Sequence, residues 1–231
     1  MKGLTDYQKF LLLRPLPPKA RIDAFGNPIL TKDDFSDVDW NKVKYTSLTN
    51  MSAIAERKDT YIPLLFHFDY VLNRIWNDPL KYLAKFSGFL AVPTPDFSVY
   101  INMNAKEIEH NIFKSRWLGA WAQFMHYRVI PTCTWGGEET YDFCFSGLPT
   151  ESIVLISTIG CLTQTRNFLK GFNEMKRRLK PKLIIVRGKR IAGMTGNFIF
   201  LDFEDTFNLH KQWEQIPLFE LSKITTLKEV R

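Results

Sequence analysis

Residues 153–187 read IVLISTIGCLTQTRNFLKGFNEMKRRLKPKLIIVR. Two apolar runs, Ile153 to Ser157 and Leu183 to Arg187, flank a stretch with helical periodicity. Phe168, Phe172, Met175 and Leu179 fall at i, i+4, i+7 and i+11, which is one face of a helix. Neither flanking run alternates polar with apolar residues. Continuous apolar runs of this length signal burial on both faces, the condition of strands in a parallel sheet covered by helices. The helix between them supplies the crossover that parallel neighbours require. The segment therefore predicts a β-α-β unit.

The same alternation extends outward from it. Ile62 to Phe68, Phe89 to Val92 and Val129 to Thr134 are strand candidates upstream, and Phe198 to Phe203 is one downstream. Tyr70 to Phe86 reads as a helix kinked or split before Pro79, and Ala105 to Tyr127 as the longest helix. Between residues 136 and 151 only Thr140 to Phe145 has room for a short turn of helix. The pattern predicts an α/β fold: a mainly parallel sheet of about five to six strands with covering helices. An incomplete TIM-like barrel is one form of this reading, because a full one takes about 250 residues and the first 59 of these 231 look unsuited to it. RPLPPKAR carries three prolines in four residues, and AFGNP is a turn signal. Residues 1–59 are accordingly expected to form an irregular or loosely helical N-terminal arm. The arm would pack through Phe25, Phe35 and Trp40 on an α/β domain spanning residues 60–231.

Composition is that of an ordinary globular chain, 45% hydrophobic and 24% charged. No run of 18 uncharged apolar residues occurs, and the apolar run near the N-terminus covers only Phe10 to Leu13. A cytoplasmic protein with no membrane partner is expected. Cys133, Cys144 and Cys161 form no CxxC, and the four histidines form no HExxH, so reduced thiols are expected and a structural zinc site is not. The absence of GxGxxG, GxxxxGK[ST] and GxSxG argues against dinucleotide enzymes, P-loop NTPases and α/β-hydrolases.

The net charge is +7. Residues 162–190 hold ten basic residues and one acidic residue, which leaves the rest of the chain at −2. Arg166, Lys170 and Arg177 repeat the helical spacing on the side opposite the apolar face. Lys176, Arg178, Lys180 and Lys182 extend the stripe, and Lys189 and Arg190 follow the second strand. A helix C-terminus favours cations by up to about 1 kcal/mol each. The excess beyond that points to phosphates of a nucleic acid or nucleotide.

In parallel α/β sheets ligands bind outside the carboxyl ends of the strands. The residues following the strand candidates are polar: Asp69 after the first, Asp96 and Ser98 after the second, Thr134 and Trp135 after the third, Thr158 and Cys161 after the fourth, and Arg187 at the end of the fifth. Arg187 suits a phosphate or carboxylate, the hydroxyls suit orientation, and Trp135 offers a stacking face. Asp69 and Asp96 are the candidate catalytic pair, as acid and base or as ligands to Mg²⁺. Against that, Asp69 at a helix start also suits an N-cap. Cys161, just before a helix, would have its thiol pKa lowered by the helix dipole.

PDFSVY at 95–100, VIPTCTWGG at 129–137, STIGC at 157–161 and IIVRG at 184–188 resemble the recurring motifs of the domain-of-unknown-function 4417 family, over roughly residues 60–190. The resemblance implies a setting in bacteria, phages and mobile elements and brings no catalytic residue with it. The leading functional expectation is a nucleic-acid- or nucleotide-associated protein of a phage or mobile element. The alternatives are a metal-assisted hydrolase using Asp69 and Asp96, and a non-catalytic protein that blocks a host factor. If residues 162–190 bind nucleic acid, changing Arg166, Lys170 and Arg177 together to Glu abolishes binding with little change in thermal stability. A filter-binding titration at several salt concentrations reads this outcome, since counterion release makes such binding fall steeply with salt.

Overall fold

The computed structural model describes residues 3–201. Seven strands run through them: β1 (Lys44–Ser47), β2 (Tyr61–Leu64), β3 (Val92–Pro93), β4 (Val129–Ile130), β5 (Ile153–Ser157), β6 (Leu183–Arg187) and β7 (Phe198–Leu201). Six α-helices accompany them: α1 (Asp6–Leu13), α2 (Asp69–Asn77), α3 (Pro79–Ala84), α4 (Ala105–Phe124), α5 (Tyr141–Phe145) and α6 (Thr165–Leu179). The expected split at Pro79 is present, with the proline opening α3, where its missing N–H is not needed. Asn104 caps α4 by accepting from Lys106 N at 2.9 Å. α6 ends at Lys180, whose φ of 46° is left-handed. β5 and β6 match the sequence expectation residue for residue. The last two residues of the strand expected over Phe198 to Phe203 lie outside the described residues.

Every ladder is parallel: β1 with β2, β3 with β4, β5 with β6, and β6 with β7. The strands do not form one sheet of five or six. They form sheets of two, two and three strands, and among the described residues no barrel closes. The physical reason lies in prolines: Pro93 and Pro131 each lack a backbone donor, and the ladders stop at or beside them. Isolated hydrogen bonds still bridge the gaps, Leu90 N donating to Tyr61 O at 3.0 Å among them. Asp96 N donates to Leu65 O at 3.1 Å, Cys133 N to Leu155 O at 2.8 Å, and Leu155 N to Pro131 O at 2.9 Å. The carboxyl ends of the strands thus follow one another in chain order.

Alternate residues of the strands divide the core in two. Ile62, Leu64, Phe66, Ile130, Leu155 and Ile185 pack on one another on the inner side, joined by Ala91, Leu201 and Phe35. Val154, Ile156, Ile184 and Val186 point to the other side and meet the helices, including Phe168, Phe172, Met175 and Leu179 of α6. Both faces are covered, which is why the strands read as unbroken apolar runs.

Residues before 60 contribute more than irregular chain. β1 pairs with β2 through the register Lys44 to Tyr61 and Ser47 to Leu64. Trp117 Nε1 of α4 donates to the carbonyls of Arg14 and Pro15, each at 3.0 Å, and the Arg14 guanidinium lies 3.8 Å from the Trp76 ring centre. Phe35 is buried beside Trp40, and Phe25, half exposed, meets the Phe143 ring edge-on.

α4 approaches β3 closely because position 119 carries no side chain. A Cβ there would lie 2.6 Å from Thr94 Cγ2 and 3.1 Å from Leu30 Cδ2. Both neighbours are buried. Gly119→Ala therefore lowers stability by about 1–3 kcal/mol, despite the roughly 1 kcal/mol that alanine gains over glycine in helix propensity. The urea midpoint falls and the slope stays constant.

Candidate functional site

The carboxyl ends of β2 to β6 open into one cavity of about 670 Å³. A volume of this size suits a small molecule or one nucleotide. Phe66, Phe97, Trp135 and Phe168 supply apolar walls, while Asp96, Ser98, Thr134, Cys161 and Arg187 supply polar groups. The strand-end expectation thus brings six of its eight residues to one surface, Trp135 included.

Asp96 and Arg187 reach the cavity from different strands, the first after β3 and the second at the end of β6. Asp96 is held by its own N–H bond to Leu65 O. Arg187 ends β6, where its carbonyl accepts from Thr158 N at 3.0 Å. Loss of solvent pushes the Asp96 carboxyl up to about 7; Asp69 adds to the rise and Arg187 opposes it. Burial draws the Arg187 guanidinium down to about 10, against the pull of Asp96. The Arg187 guanidinium also lies 5.6 Å from the Phe66 ring centre. His67 shares this wall; burial, then Arg187 and Arg74, hold its pKa below the usual imidazole value. Its Nδ1 accepts from Phe68 N at 2.8 Å.

Thr158 and Asp69 are placed differently. Neither lines the cavity. Thr158 Oγ1 donates to Lys189 O at 2.8 Å, tying the end of β5 to the turn after β6. That turn passes through Gly188 at a φ of 107°, with Thr158 Oγ1 only 2.6 Å from where a Cβ would stand. Asp69 opens α2 but does not cap it. Its Oδ1 accepts from Ser98 N at 2.9 Å and from Ser98 Oγ at 3.0 Å, while Asn111 Nδ2 donates to Ser98 O at 2.7 Å. Asp69 thereby anchors the loop that carries Asp96 and Ser98. Among the described residues no group of three His, Cys, Asp or Glu side chains could hold a metal ion.

Cys161 behaves opposite to expectation. Burial, with Asp96 second, raises its thiol pKa, and this outweighs any lowering by α6. Trp135 is both wall and packing element. Its ring centre lies 5.3 Å from that of Phe168, and its Cδ1 and Nε1 stand 2.1 and 2.2 Å from where a Cβ on Gly171 would be. The missing side chain at 171 is what lets the indole lie on α6.

The basic stripe divides along α6. Arg166 lies in the first turn, beside Gln164 and Asn167 of the cavity wall, and Lys189 and Arg190 follow the carboxyl end of β6. Lys176, Arg177, Arg178, Lys180 and Lys182 lie at the other end, about 20 Å away at 1.5 Å per residue, where Lys182 N donates to Ser152 O just before β5. Much of the charge is already matched. Arg177 and Arg178 both bond Glu174, Arg178 also reaches Asp142 at 2.7 Å, and Lys170 pairs with Glu138. Lys176 Nζ donates to Thr195 Oγ1 at 2.6 Å, and Arg190 Nη2 to Met194 O at 3.0 Å.

Tyr100, Asn102, Gln164 and Asn167 also line the cavity and were not singled out from sequence. For Gln164 and Asn167 a signal existed, since the first turn of a helix following a strand end faces the same edge. No pattern distinguished Asn102.

The fold and site define an α/β protein with a ligand-sized cavity at the carboxyl ends of parallel strands. The chain belongs to the family described as domain of unknown function (DUF4417), whose model matches residues 23–204. It is similar to the Gene 1 protein of Mycobacterium phage D29, 33% identical over 124 residues, covering 52% of this chain and 46% of the relative. The Gene 1 protein of Mycobacterium phage L5 is 36% identical over 124 residues, 52% of this chain and 54% of the relative. The chain thus spans about half the length of these curated phage relatives. No solved structure matches it. No helix among the described residues is long and apolar enough to cross a membrane.

Asp96 has a measurable effect on stability. Its folded pKa, about 7, stands above the ordinary 3.8. Between these values the folded chain binds more protons than the unfolded one, so stability falls as pH rises from about 4 to about 7. Asp96→Asn removes that loss. Its thermal midpoint exceeds that of the parent at pH 8, and the gap narrows toward pH 4.

Proposed function

We propose that this chain is a nucleotide-binding protein of phages and related mobile elements, with one nucleotide, free or turned out of a strand, held in the strand-end cavity. The observation that carries the reading is the joint placement of Arg187 and Asp96 within one cavity walled by Trp135, Phe66 and Phe168. A guanidinium gives a forked donor for a phosphate. The aromatic walls suit a base, and Ser98, Thr134 and Asn102 suit the hydroxyls and edges of a sugar and base. Arg166, Lys189 and Arg190 at the same end would draw an anion toward the mouth. In this reading the cations at the far end of α6, partly matched by Glu174 and Asp142, form a separate surface that phosphates of a longer strand would have to share with those carboxylates. The parallel strands in chain order, with a common inner cluster, fit an opened TIM-like arrangement in which residues 1–59 serve as an arm on the 60–231 domain.

Calorimetric titration of the full chain with nucleoside monophosphates tests the reading. Arg187→Met weakens binding about 10- to 100-fold, the loss of a charge-assisted hydrogen bond. Arg177→Glu, at the far end of α6, leaves it within about twofold. Equal weakening by both changes, or no binding by the parent chain, would overturn the proposal.

A further inference from the structure

Among the described residues, the cavity wall carries one carboxyl group, Asp96, and one guanidinium, Arg187, between apolar walls. Asp96 and Arg187 are both fixed through their backbones, Asp96 by Leu65 O and Arg187 by Thr158 N. A ligand phosphate that reaches Arg187 therefore meets a carboxyl group that cannot withdraw with the chain. Asp69 lies close enough to Asp96 to add its own negative field. The phosphate and the Asp96 carboxylate would then compete for the Arg187 guanidinium and repel each other.

We propose that the cavity is a proton-coupled phosphate site, in which a nucleotide phosphate takes Arg187 only as Asp96 takes up a proton. The proposal rests on the nucleotide reading above and names how that site balances charge. The other groups around Asp96 do not supply the proton balance. His67, from the end of β2, is held neutral by burial and by the charges of Arg187 and of Arg74 on α2. The thiols of Cys133, after β4, and Cys161, after β5, are pushed up by burial and stay protonated. Asp69 remains tied to Ser98 through both of its bonds. Asp96, whose own carboxyl is already raised to about 7, needs only a modest further push to hold a proton at neutral pH. Once protonated it becomes a donor, able to hydrogen-bond the phosphate it would otherwise repel.

The test is calorimetric titration of the full chain with nucleoside monophosphates and, separately, with inorganic phosphate. Runs at pH 8 in two buffers of different ionisation enthalpy give the number of protons taken up. The expected result is nearly one proton per nucleotide bound, with affinity falling about tenfold per pH unit above about pH 7.5. Asp96→Asn takes up none and binds with an affinity that is flat over the same range. A phosphate monoester is already a dianion at pH 8, its second pKa being about 6, and proton uptake by the phosphate itself would persist in Asp96→Asn. Nucleotide binding without proton uptake, or uptake undiminished in Asp96→Asn, overturns the proton coupling and leaves the nucleotide reading standing. Failure of the parent chain to bind either probe at any pH from 5 to 9 overturns both.

Discussion

Packing of the inner strand faces holds the architecture together. Ile62, Leu64, Phe66, Ile130, Leu155 and Ile185 come from four strands in three separate ladders, yet they form a single cluster. Hydrogen bonding alone would leave three small sheets, because Pro93 and Pro131 interrupt it. A two-stranded ladder of two residues has no independent stability. Apolar burial on the inner side, with the isolated hydrogen bonds at Tyr61, Leu65 and Leu155, keeps the ladders in step. The cavity depends on this arrangement, since its walls are the next residues along the same strands.

That dependence explains which parts of the fold could be read from the chain. β5, β6 and α6 were legible because unbroken apolar runs and a clean helical period leave little choice. β1 was not, because Lys44-Tyr-Thr-Ser47 has no apolar run; its place is set by pairing with β2, a contact across the chain rather than a local pattern. The fragmentation of the sheet has its local signal in Pro93 and Pro131, which interrupt runs that are otherwise continuously apolar. At the site, Asp96, Ser98, Thr134, Trp135, Cys161 and Arg187 followed from the strand-end rule. Thr158 and Asp69 obeyed the same rule in position and departed from it in direction, since hydrogen bonds to Lys189 O and Ser98 turn them to structural use. Sequence gives the edge on which a residue stands and is silent about which way its hydroxyl or carboxylate points.

The charge pattern shows a similar limit. A run of ten basic residues against one acidic residue suggested a single cationic face. In the fold, Glu174 alone engages two arginines, and Glu138 and Asp142 come from a distant stretch to engage Lys170 and Arg178. Exposed pairs of this kind contribute little to stability, but they lower the potential that a phosphate backbone would meet. Local counts overstate a field whenever counter-charges come from elsewhere in the chain.

The separation between the inner cluster and the cavity has a consequence for how such a protein can change over time. Residues such as Asn102, Thr134, Gln164 and Asn167 line the cavity without belonging to either apolar cluster. They can be exchanged with little loss of folding free energy, because surface-lining polar positions away from packed groups are tolerant. Trp135, seated on the bare backbone of Gly171, and Thr158, locked to Lys189 O, cannot. Related chains can therefore diverge in the ligand they prefer while the frame around the ligand stays fixed, and selection on one is largely free of selection on the other.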